Sequence, residues 1–478
     1  MTADVDSQST AVAKMAKAWP MIDALVGGTG AMRAAGKAFL PQFPAESDTS
    51  YKTRLSTATL FPAFSRTSEV LAAKPLSKAI NLDGVPTDIL DLLENIDGEG
   101  STLHSFASAL MLECLQPGIV GVLVDCPPAE GVRTKAEEDA AGVRPYFATY
   151  KAAAILGWRA NGDMLTQLRL LESVVEEDGE FGEKVVQQVR VLNPGAWTIW
   201  RKVKDSAGRE AWAIHDEGTT TLDIIPFVFF YGIRVNFGIG KPPLLDLAYL
   251  NVEHYQSSSD QQTILHTARV PILFVKGLAE DDEISIGAST AVKTTSADAD
   301  MKFVEHSGAA IEAGRQSIID LEDRMRQTGA ELLVQQSINV TATQTISEGE
   351  GSRSILQRIV ENFEESLEEC IELMGLWRGT DFDCEVTLFK DFGATNLSDQ
   401  SSTILLAAAN DGIVSPQTVF QGLQRRDIVP ADAKWEDEQA GIAAHAKAKA
   451  AMVPKIVGGP PGKELPADDS AADGIKTD

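Results

Sequence analysis

Residues 242–268 read PPLLDLAYLNVEHYQSSSDQQTILHTA, and this stretch predicts one long helix. Two prolines precede it, no residue inside it breaks a helix, and Pro271 closes it. At 1.5 Å of rise per residue, about 25 helical residues span roughly 38 Å. We therefore expect the chain to be carried far outward along this helix.

A second long helix is predicted to run back over residues 309–334. Its apolar and small residues recur every three or four positions and form a narrow seam, suited to packing against one neighbour along its whole length. We expect packing at Ile311, Ile318, Leu321, Met325 and Leu332, with Gly314 and Thr328 on the same seam. The about 40 residues between the helices hold two β-type runs (272–275 and 291–294) and are too few for a core of their own. Such an element needs partners, and this geometry indicates a ring.

The same region resembles the stem–clip–stem core of the portal proteins of tailed double-stranded DNA bacteriophages. Further blocks resemble that family in the same order along the chain, from about residue 21 to about residue 444. They are GTGAMRAAGKAFLPQFPAESDTSYKTRL (28–55), GVLVDCP (121–127), RPYFATYKAAAILGWR (144–159), PPLLDLAYLNVEHYQSSSD (242–260) and VEHSGAAIEAGRQSIIDLEDRMRQTGAELL (304–333). The order of the blocks carries the resemblance, since no single block is a mechanistic signature.

The resemblance implies an α+β portal fold that assembles as a ring, with a mixed α/β wing, a long-helix stem, a small β-containing clip and a helical crown. On this chain it implies a flexible N-terminus (1–20), wing (21–243), first stem helix (244–268), clip (269–307), second stem helix (308–334), tunnel loop (335–351), wing helix (352–379), crown (380–450) and disordered tail (451–478).

The function that the resemblance implies is mechanical. A dodecameric ring at one capsid vertex would be the channel for genome packaging and DNA ejection, and it would act as the head–tail connector. Its partners would be eleven further copies, the terminase motor docking at the clip, capsid and scaffold proteins, a head–tail adaptor, and double-stranded DNA in transit. The protein would occupy the virion, and the host cytoplasm before assembly.

Residues 335–351 (QQSINVTATQTISEGEG) form a polar segment longer than two helices need as a connection. In portals the segment at this position is the tunnel loop, which narrows the channel and touches DNA. Polar side chains of this kind can contact phosphates weakly, without an ionic grip. The loop candidates are Gln335, Gln336, Ser337, Asn339, Thr341, Thr343, Gln344 and Thr345. A plain surface linker is the alternative.

Outside the long helices, the sequence predicts a helix-rich segment from residue 21 to about 115 and then several strands. β-Type runs occupy residues 119–125, 168–176, 185–192, 196–203, 211–215 and 386–389. A third amphipathic helix is predicted over residues 352–377. Its apolar stripe is Ile355, Ile359, Phe363, Leu367, Cys370, Met374 and Trp377, and its expected solvated faces carry Glu361, Glu364, Glu365, Glu368, Glu369 and Glu372.

The chain is acidic, with 69 aspartates and glutamates against 42 lysines and arginines and a net charge of −27. Proteins that grip DNA usually show a basic footprint, so tight DNA binding is not expected, whereas an acidic wall would let DNA slide past. Acidity that serves only solubility is the alternative. No apolar run reaches the length of a membrane span and no secretion signal is evident, so we expect a cytosolic product.

The sequence offers no active site, metal or cofactor. Cys114, Cys126, Cys370 and Cys384 form no C-x-x-C pair, so buried reduced thiols are expected. Residues 28–38 (GTGAMRAAGKA) partly match a phosphate loop but lack its first glycine and its magnesium-binding hydroxyl. His254 and Asp260 lie on different faces of one helix, and an interhelical hydrogen bond or exposure is expected for the histidine. The alternatives to a portal are a nucleotide-binding enzyme using residues 28–38 and a phage scaffold or adaptor without a channel.

Overall fold

The computed structural model describes residues 4–127, 143–204, 208–268, 272–276, 300–304, 309–333, 354–390 and 392, with short pieces at 415–417, 420, 435 and 439–440. The chain divides into two compact units, Met1–Phe392 and Gly393–Asp478. In the second unit, Pro416 and Gln417 are helical, and the rings of Phe420 and Trp435 pack 5.5 Å apart. All elements named below belong to the first unit.

The helices and strands follow one another in this order. The α-helices are α1 (Thr10–Met15), α2 (Trp19–Val26), α3 (Gly28–Ala35), α4 (Asp48–Thr57), α5 (Ala63–Ala73), α6 (Thr87–Leu93), α7 (Leu103–Leu115), α8 (Leu245–Ala268), α9 (Ala309–Ala330) and α10 (Ile355–Trp377). The strands are β1 (Asn81–Asp83), β2 (Ile119–Asp125), β3 (Tyr146–Lys151), β4 (Ile155–Asn161), β5 (Met164–Asp178), β6 (Gly182–Asn193), β7 (Ala196–Lys204), β8 (Glu210–Thr219), β9 (Phe227–Tyr231), β10 (Ile233–Asn236), β11 (Ile239–Lys241), β12 (Ile272–Lys276), β13 (Asp300–Val304) and β14 (Glu385–Thr387). The α+β class is therefore confirmed, and each predicted strand that lies within the described residues is present.

The main core is helical, and the three long helices share it with the N-terminal helices. It joins Ile22 and Leu25 of α2, Phe64 of α5, Leu110 of α7, Leu247 and Tyr255 of α8, Met325 of α9 and Phe363 of α10 in one cluster of buried side chains. Because that cluster is continuous, the parts of the long helices that contribute to it belong to the same folded unit as the N-terminal helices.

A three-stranded antiparallel sheet in the order β3–β2–β9 lies beside the helices. The central strand β2 is buried along nearly its whole length, which explains its run of apolar residues. Helix α10 packs on this sheet: the rings of Phe230 and Phe363 lie 5.0 Å apart, and Trp377 Nε1 donates to Val124 O at 2.7 Å. Gly121 is needed here because a Cβ atom at that position would lie 2.0 Å from the Phe227 ring.

A five-stranded antiparallel meander, β4–β5–β6–β7–β8, forms the second sheet. One polar network joins it to the first sheet. Arg190 of β6 donates to Asp125 Oδ2 at the end of β2 (2.8 Å) and lies 2.8 Å from Glu172 Oε1 of β5. Tyr150 of β3 donates to the same Glu172 at 2.6 Å, and burial raises the pKa of that phenol. These partly buried charges are paired, as their removal from water requires.

The N-terminal segment differs from the prediction. Residues 4–20 are ordered, because Val12 and Trp19 are buried among the residues of the second core cluster, and Ser9 N donates to Leu156 O of β4 at 2.8 Å. The expectation of a flexible segment over residues 1–20 is therefore wrong for residues 4–20. Residues 1–3 lie outside the described part. The polar start of this segment gave no sign that Val12 and Trp19 are covered by a sheet in the folded protein.

The acidic side of α10 also differs from the prediction. Glu364 accepts a hydrogen bond from Leu388 N at 2.6 Å, Glu368 from Val386 N at 2.8 Å, and Glu372 from Cys384 N at 3.2 Å. A helix rises about 6 Å over four residues and a strand about 6.7 Å over two, so glutamates one turn apart match alternate N–H groups of a strand. We call these three glutamates the glutamate ladder.

Two predictions are corrected by the ladder. Glu364 is 6% exposed, so it does not belong to a solvated face, and burial raises the pKa of its carboxyl group. The opposite edge of β14 pairs with β1, in the register Leu82 to Val386. Residues 380–392, which we assigned to the crown segment 380–450, therefore lie in the first unit with the wing segments.

Candidate functional site

The long helices α8 and α9 pack antiparallel along their length. Gln261 Nε2 donates to Ile311 O at 2.9 Å near one end of the pair. At the other end, a Cβ atom at Gly329 would lie 3.8 Å from the Leu247 side chain. At Gly314 a Cβ atom would lie 2.1 Å from Gln261 Oε1, so this glycine allows the close approach. The predicted outward and return helices are therefore confirmed, with α9 ending in a 3₁₀ turn at Glu331–Leu333.

The end of the pair at Leu247 and Gly329 is called the base. It is fixed in the main core by Asn251. This fully buried side chain accepts a hydrogen bond from Phe64 N at 2.9 Å and donates to Phe61 O at 2.8 Å. It thereby satisfies an N–H group in the first turn of α5, which has no side-chain cap of its own. A polar residue in the middle of a helix is the only sequence signal for this clamp.

A second anchor of the helix pair joins α4 to α8 nearer the C-terminal end of α8. Arg54 donates two hydrogen bonds to Glu46, at 2.9 and 2.8 Å, and its guanidinium lies 3.6 Å from Asp260 of α8. The Arg54 side chain is 4% exposed, and the hydrogen bonds from it hold the pKa of Glu46 below its ordinary value. Bidentate pairing is what makes burial of this arginine tolerable.

His254 lies inside the helix pair and is 4% exposed. Its Nε2 atom is 3.5 Å from Glu322 Oε1 of α9, and its ring lies 5.4 Å from that of Phe61. Neither expected outcome is found, because the ring is buried and neither ring nitrogen has a hydrogen-bond partner among the described residues; the histidine only contacts Glu322 across the helix pair. Asp260 faces Arg54 instead, so the structure does not bring His254 and Asp260 together as an acid–base pair.

The predicted stem-packing residues divide into two groups. Leu321, Met325 and Leu332 are 2%, 2% and 4% exposed, whereas Ile311 and Ile318 are half-buried. Met325 and Leu332 belong to the main core. The expectation that the seam contacts one neighbour along its whole length is therefore wrong for the base, because α5 and the core also pack there.

The far end of the pair is less covered. Ile264 of α8 is 39% exposed and Phe274 of β12 is 44% exposed. The chain continues from α8 into β12, which pairs antiparallel with β13 from Ile272↔Val304 to Lys276↔Asp300, and then returns as α9. This confirms the strand predicted over residues 272–275. The run 291–294 lies outside the described residues, as does most of the segment 269–307.

The exposed side of α9 carries arginines that are paired with carboxylates. Arg315 contacts Glu312, Arg326 contacts Asp323 and Glu322, and Arg324 lies 3.9 Å from Glu253 of α8. Because each cation has an acidic neighbour, this face presents little free positive charge to a polyanion. Such surface pairs contribute little to stability.

The nucleotide-binding alternative lacks its structural context. Residues 28–35 form helix α3, directly after helix α2, and Gly36–Ala38 form a 3₁₀ turn. A phosphate loop requires a strand that leads through a glycine-rich turn into a helix. The Lys37 ammonium lies 5.5 Å from the centre of the Tyr51 ring.

The predicted tunnel-loop residues all lie outside the described residues. They are Gln335, Gln336, Ser337, Asn339, Thr341, Thr343, Gln344 and Thr345. Among the four free cysteines, Cys114 and Cys370 are buried as predicted, whereas Cys126 and Cys384 are half-buried. Within the described residues, no group of histidine, cysteine and acidic side chains could hold a metal ion. No helix described by the structure is long and apolar enough to cross a membrane.

Comparisons with known proteins give one family match and several structural similarities. Residues 243–378 match a family described as a domain of unknown function, DUF4055, and this segment runs from α8 through α10. The comparison with curated proteins finds no match. The chain is similar, at 13% identity and a TM-score of 0.39, to a chain in the virion of a native gene transfer agent particle, covering 80% of this chain and 95% of that one. It is similar at 13% identity and a TM-score of 0.41 to a chain in the neck of such a particle computed with C12 symmetry, covering 81% and 96%. Similarity at this level leaves the function open.

Proposed function

We propose that this chain is the subunit of a portal ring at one vertex of a phage-like capsid. The observation that carries the proposal is the antiparallel pair α8–α9, which is anchored in the core at its base and carries the β12–β13 ladder at its far end. The ordered series of sequence blocks that resemble portals supports the same reading. In this proposal the ring has twelve subunits, and neighbouring copies cover the far end of each helix pair.

The protein would act as a conduit and would catalyse no reaction. A wall that lets DNA slide must not hold phosphates, and the paired arginines of α9 together with a net charge of −27 fit that requirement. The terminase motor would dock at the clip, residues 269–307, and a head–tail adaptor would bind there after packaging. The crown would face the capsid interior, the wing would meet the shell, and residues 335–351 would narrow the channel.

Electron microscopy of the purified full chain tests the ring directly. We expect top views with a central hole and a single rotational symmetry, and native mass spectrometry should give the mass of twelve subunits. A chain that remains monomeric at micromolar concentration, with or without scaffold protein, would contradict the proposal. Calorimetric titration with magnesium-ATP should show no binding, whereas saturable binding that Lys37→Ala abolishes would favour an enzyme.

The tunnel-loop part of the proposal has its own experiment. Replacing residues 335–351 by a few glycines should leave rings intact, because α8, α9 and α10 lie in the core without this segment. Packaging or retention of a full-length genome should then fail. Normal packaging and retention by the shortened variant would contradict the assignment while leaving the ring itself unaffected.

A further inference from the structure

The five-stranded sheet ends in two separate two-stranded ribbons. Beyond the pair Gln188↔Arg201, β6 pairs only with β5, and β7 pairs only with β8. Strand β4 reaches β5 no further than Leu170. In the described part of the chain, each ribbon therefore has edges that no strand covers. Isolated two-stranded ribbons are marginal in water, and uncovered edges are sites for association.

The ribbon formed by residues 173–187, called the acidic ribbon, is both apolar and negatively charged. Val175 and Val185 are a cross-strand pair, 59% and 63% exposed, and Phe181 at the tip is 92% exposed. Glu177 and Glu183 are the next pair on the same face, and two like charges directly opposite each other are unfavourable. The acidic residues of this ribbon, against the single Lys184, are Glu176, Glu177, Asp178, Glu180 and Glu183.

The ribbon formed by residues 201–204 and 208–212, called the basic ribbon, has the complementary character. Lys202 and Lys204 point to one face, and Lys202 lies opposite Trp212, with its ammonium 5.2 Å from the centre of that ring. Ile214, two residues further along β8 on that face, is 50% exposed. Among the described residues of this ribbon, Glu210 opposite Lys204 is acidic, and Arg201 and Arg209 are further cations.

Among the described residues, the ion pair that joins the two ribbons within one subunit lies on the other face. Arg201 contacts Glu176 at 2.6 Å, and both residues alternate with the lysines and glutamates just described. Among the described residues, Glu177, Glu183, Lys202 and Lys204 form no ion pair. The two ribbons are thus complementary in sign on this face, and no ion pair among the described residues joins them there.

We infer that the acidic ribbon of one subunit docks on the basic ribbon of the next copy of the same chain. Val175 and Val185 would cover Ile214 and Trp212, while Glu177 and Glu183 would meet Lys202 and Lys204. Such a contact is heterologous, and repeated around a ring it leaves no ribbon unpaired when the ring closes. The inference rests on the proposed ring and names the surface that joins its subunits.

Charge reversal with mutual rescue tests the contact. Glu177→Lys with Glu183→Lys makes the docking faces of both ribbons basic, and Lys202→Glu with Lys204→Glu makes both docking faces acidic. Each double variant should self-associate at least about tenfold more weakly than wild type at low salt, because like charges would face each other. The four positions are exposed, so circular dichroism should show an unchanged fold. Mixing the two variants one to one should restore assembly, and so should combining all four changes in one chain.

A matched control changes the net charge equally at another place. Glu94→Lys with Glu99→Lys, both exposed, should assemble like wild type. Raising the salt concentration should reduce the difference between wild type and the ribbon variants, since exposed charges are screened. If wild type forms rings but the ribbon variants also assemble normally, the ribbon contact alone is overturned. The same holds if the variants fail to assemble and mixing does not rescue them. A monomeric wild type would overturn the contact and the proposed function together.

Discussion

Replacing Glu364 by alanine should open the β14 segment locally without unfolding the rest of the subunit. The carboxylate of Glu364 is the acceptor for Leu388 N, and Leu388 is 4% exposed, so no water can readily take its place. Lys390 contributes a second hydrogen bond at 2.8 Å. Because β14 is tied to one side by β1 and to the other by the glutamate ladder, losing Glu364 weakens one of two attachments.

The magnitude follows from the contacts. A hydrogen bond to a charged acceptor contributes about 1.5–3 kcal/mol. The Lys390 ammonium belongs to a side chain that is 35% exposed, so its ion pair adds little once screening is considered. Burial opposes the charge of Glu364, as its raised pKa shows, and alanine removes that cost. We therefore expect a net loss of about 2 kcal/mol in local opening free energy, or about a 30-fold faster exchange of the Leu388 amide.

Hydrogen exchange followed by mass spectrometry, with fragmentation to single residues, measures this change. Glu368→Ala should accelerate the Val386 amide similarly, and Glu372→Ala should have a smaller effect on Cys384, since that hydrogen bond is longer at 3.2 Å. Glu365→Ala is the matched control, because Glu365 is an exposed glutamate on the same helix. Unchanged exchange at Leu388 in the Glu364 variant, or equal acceleration in the Glu365 variant, would refute the ladder.

The remaining predictions concern pH and the base of the helix pair. Because burial raises the folded-state pKa of Glu364 above 4.5, ionisation of this group costs more in the folded protein than in the unfolded chain. The contribution of Glu364 to stability is therefore fully present below 4.5, and part of it is lost as pH rises through the raised pKa. The denaturation midpoint of wild type relative to Glu364→Gln should rise on acidification from neutral pH, and a constant difference would contradict this. Asn251→Ala should lower the unfolding free energy by about 2–4 kcal/mol, measured by urea denaturation, since the buried N–H of Phe64 and the part-buried carbonyl of Phe61 lose their partner. Leu321→Asp should prevent folding of the subunit, because it lowers the unfolding free energy by several kcal/mol, and Ile318→Asp should lower it less. Equal far-ultraviolet spectra and equal denaturation midpoints for both variants would show that Leu321 is not buried within one subunit.

The outcome for Leu321 changes how assembly should be probed. Sequence spacing placed Ile318, Leu321 and Met325 on one seam and indicated that they have no other large core to join. The structure buries Leu321 and Met325 within a single chain, so aspartate there reports on the folding of the subunit. The exposed ribbon positions are the better places to test contacts between copies.

Long periodic segments and buried strands could be predicted well from the sequence. The helix over residues 245–268 follows from prolines at both ends and the lack of breakers between them, and α9 and α10 follow from their apolar spacing. The strand β2 follows from a short β-branched run. These signals are local, because each depends on residues within one or two turns of each other.

Contacts between distant segments could not be predicted, since no local pattern encodes them. Glutamates on the acidic side of an amphipathic helix indicate a solvated face, and only the approach of residues 384–388 turns Glu364 into a buried acceptor. Val12 and Trp19 lie in a segment with no sequence signal for an anchor, and they are buried only because the folded sheet covers them. The clamp at Asn251 likewise depends on a helix start almost 190 residues earlier in the chain.

The sequence by itself determined the element types, the antiparallel return of the long helices and the acidic character of the chain, because periodicity, helix breakers and charge are properties of neighbouring residues. Only the tertiary structure decided that the base of the helix pair is part of the main core, that β14 is held between β1 and α10, and that the sheet divides into two oppositely charged ribbons. Those features depend on the free energy of burying groups that lie far apart in sequence, which is fixed when the segments meet.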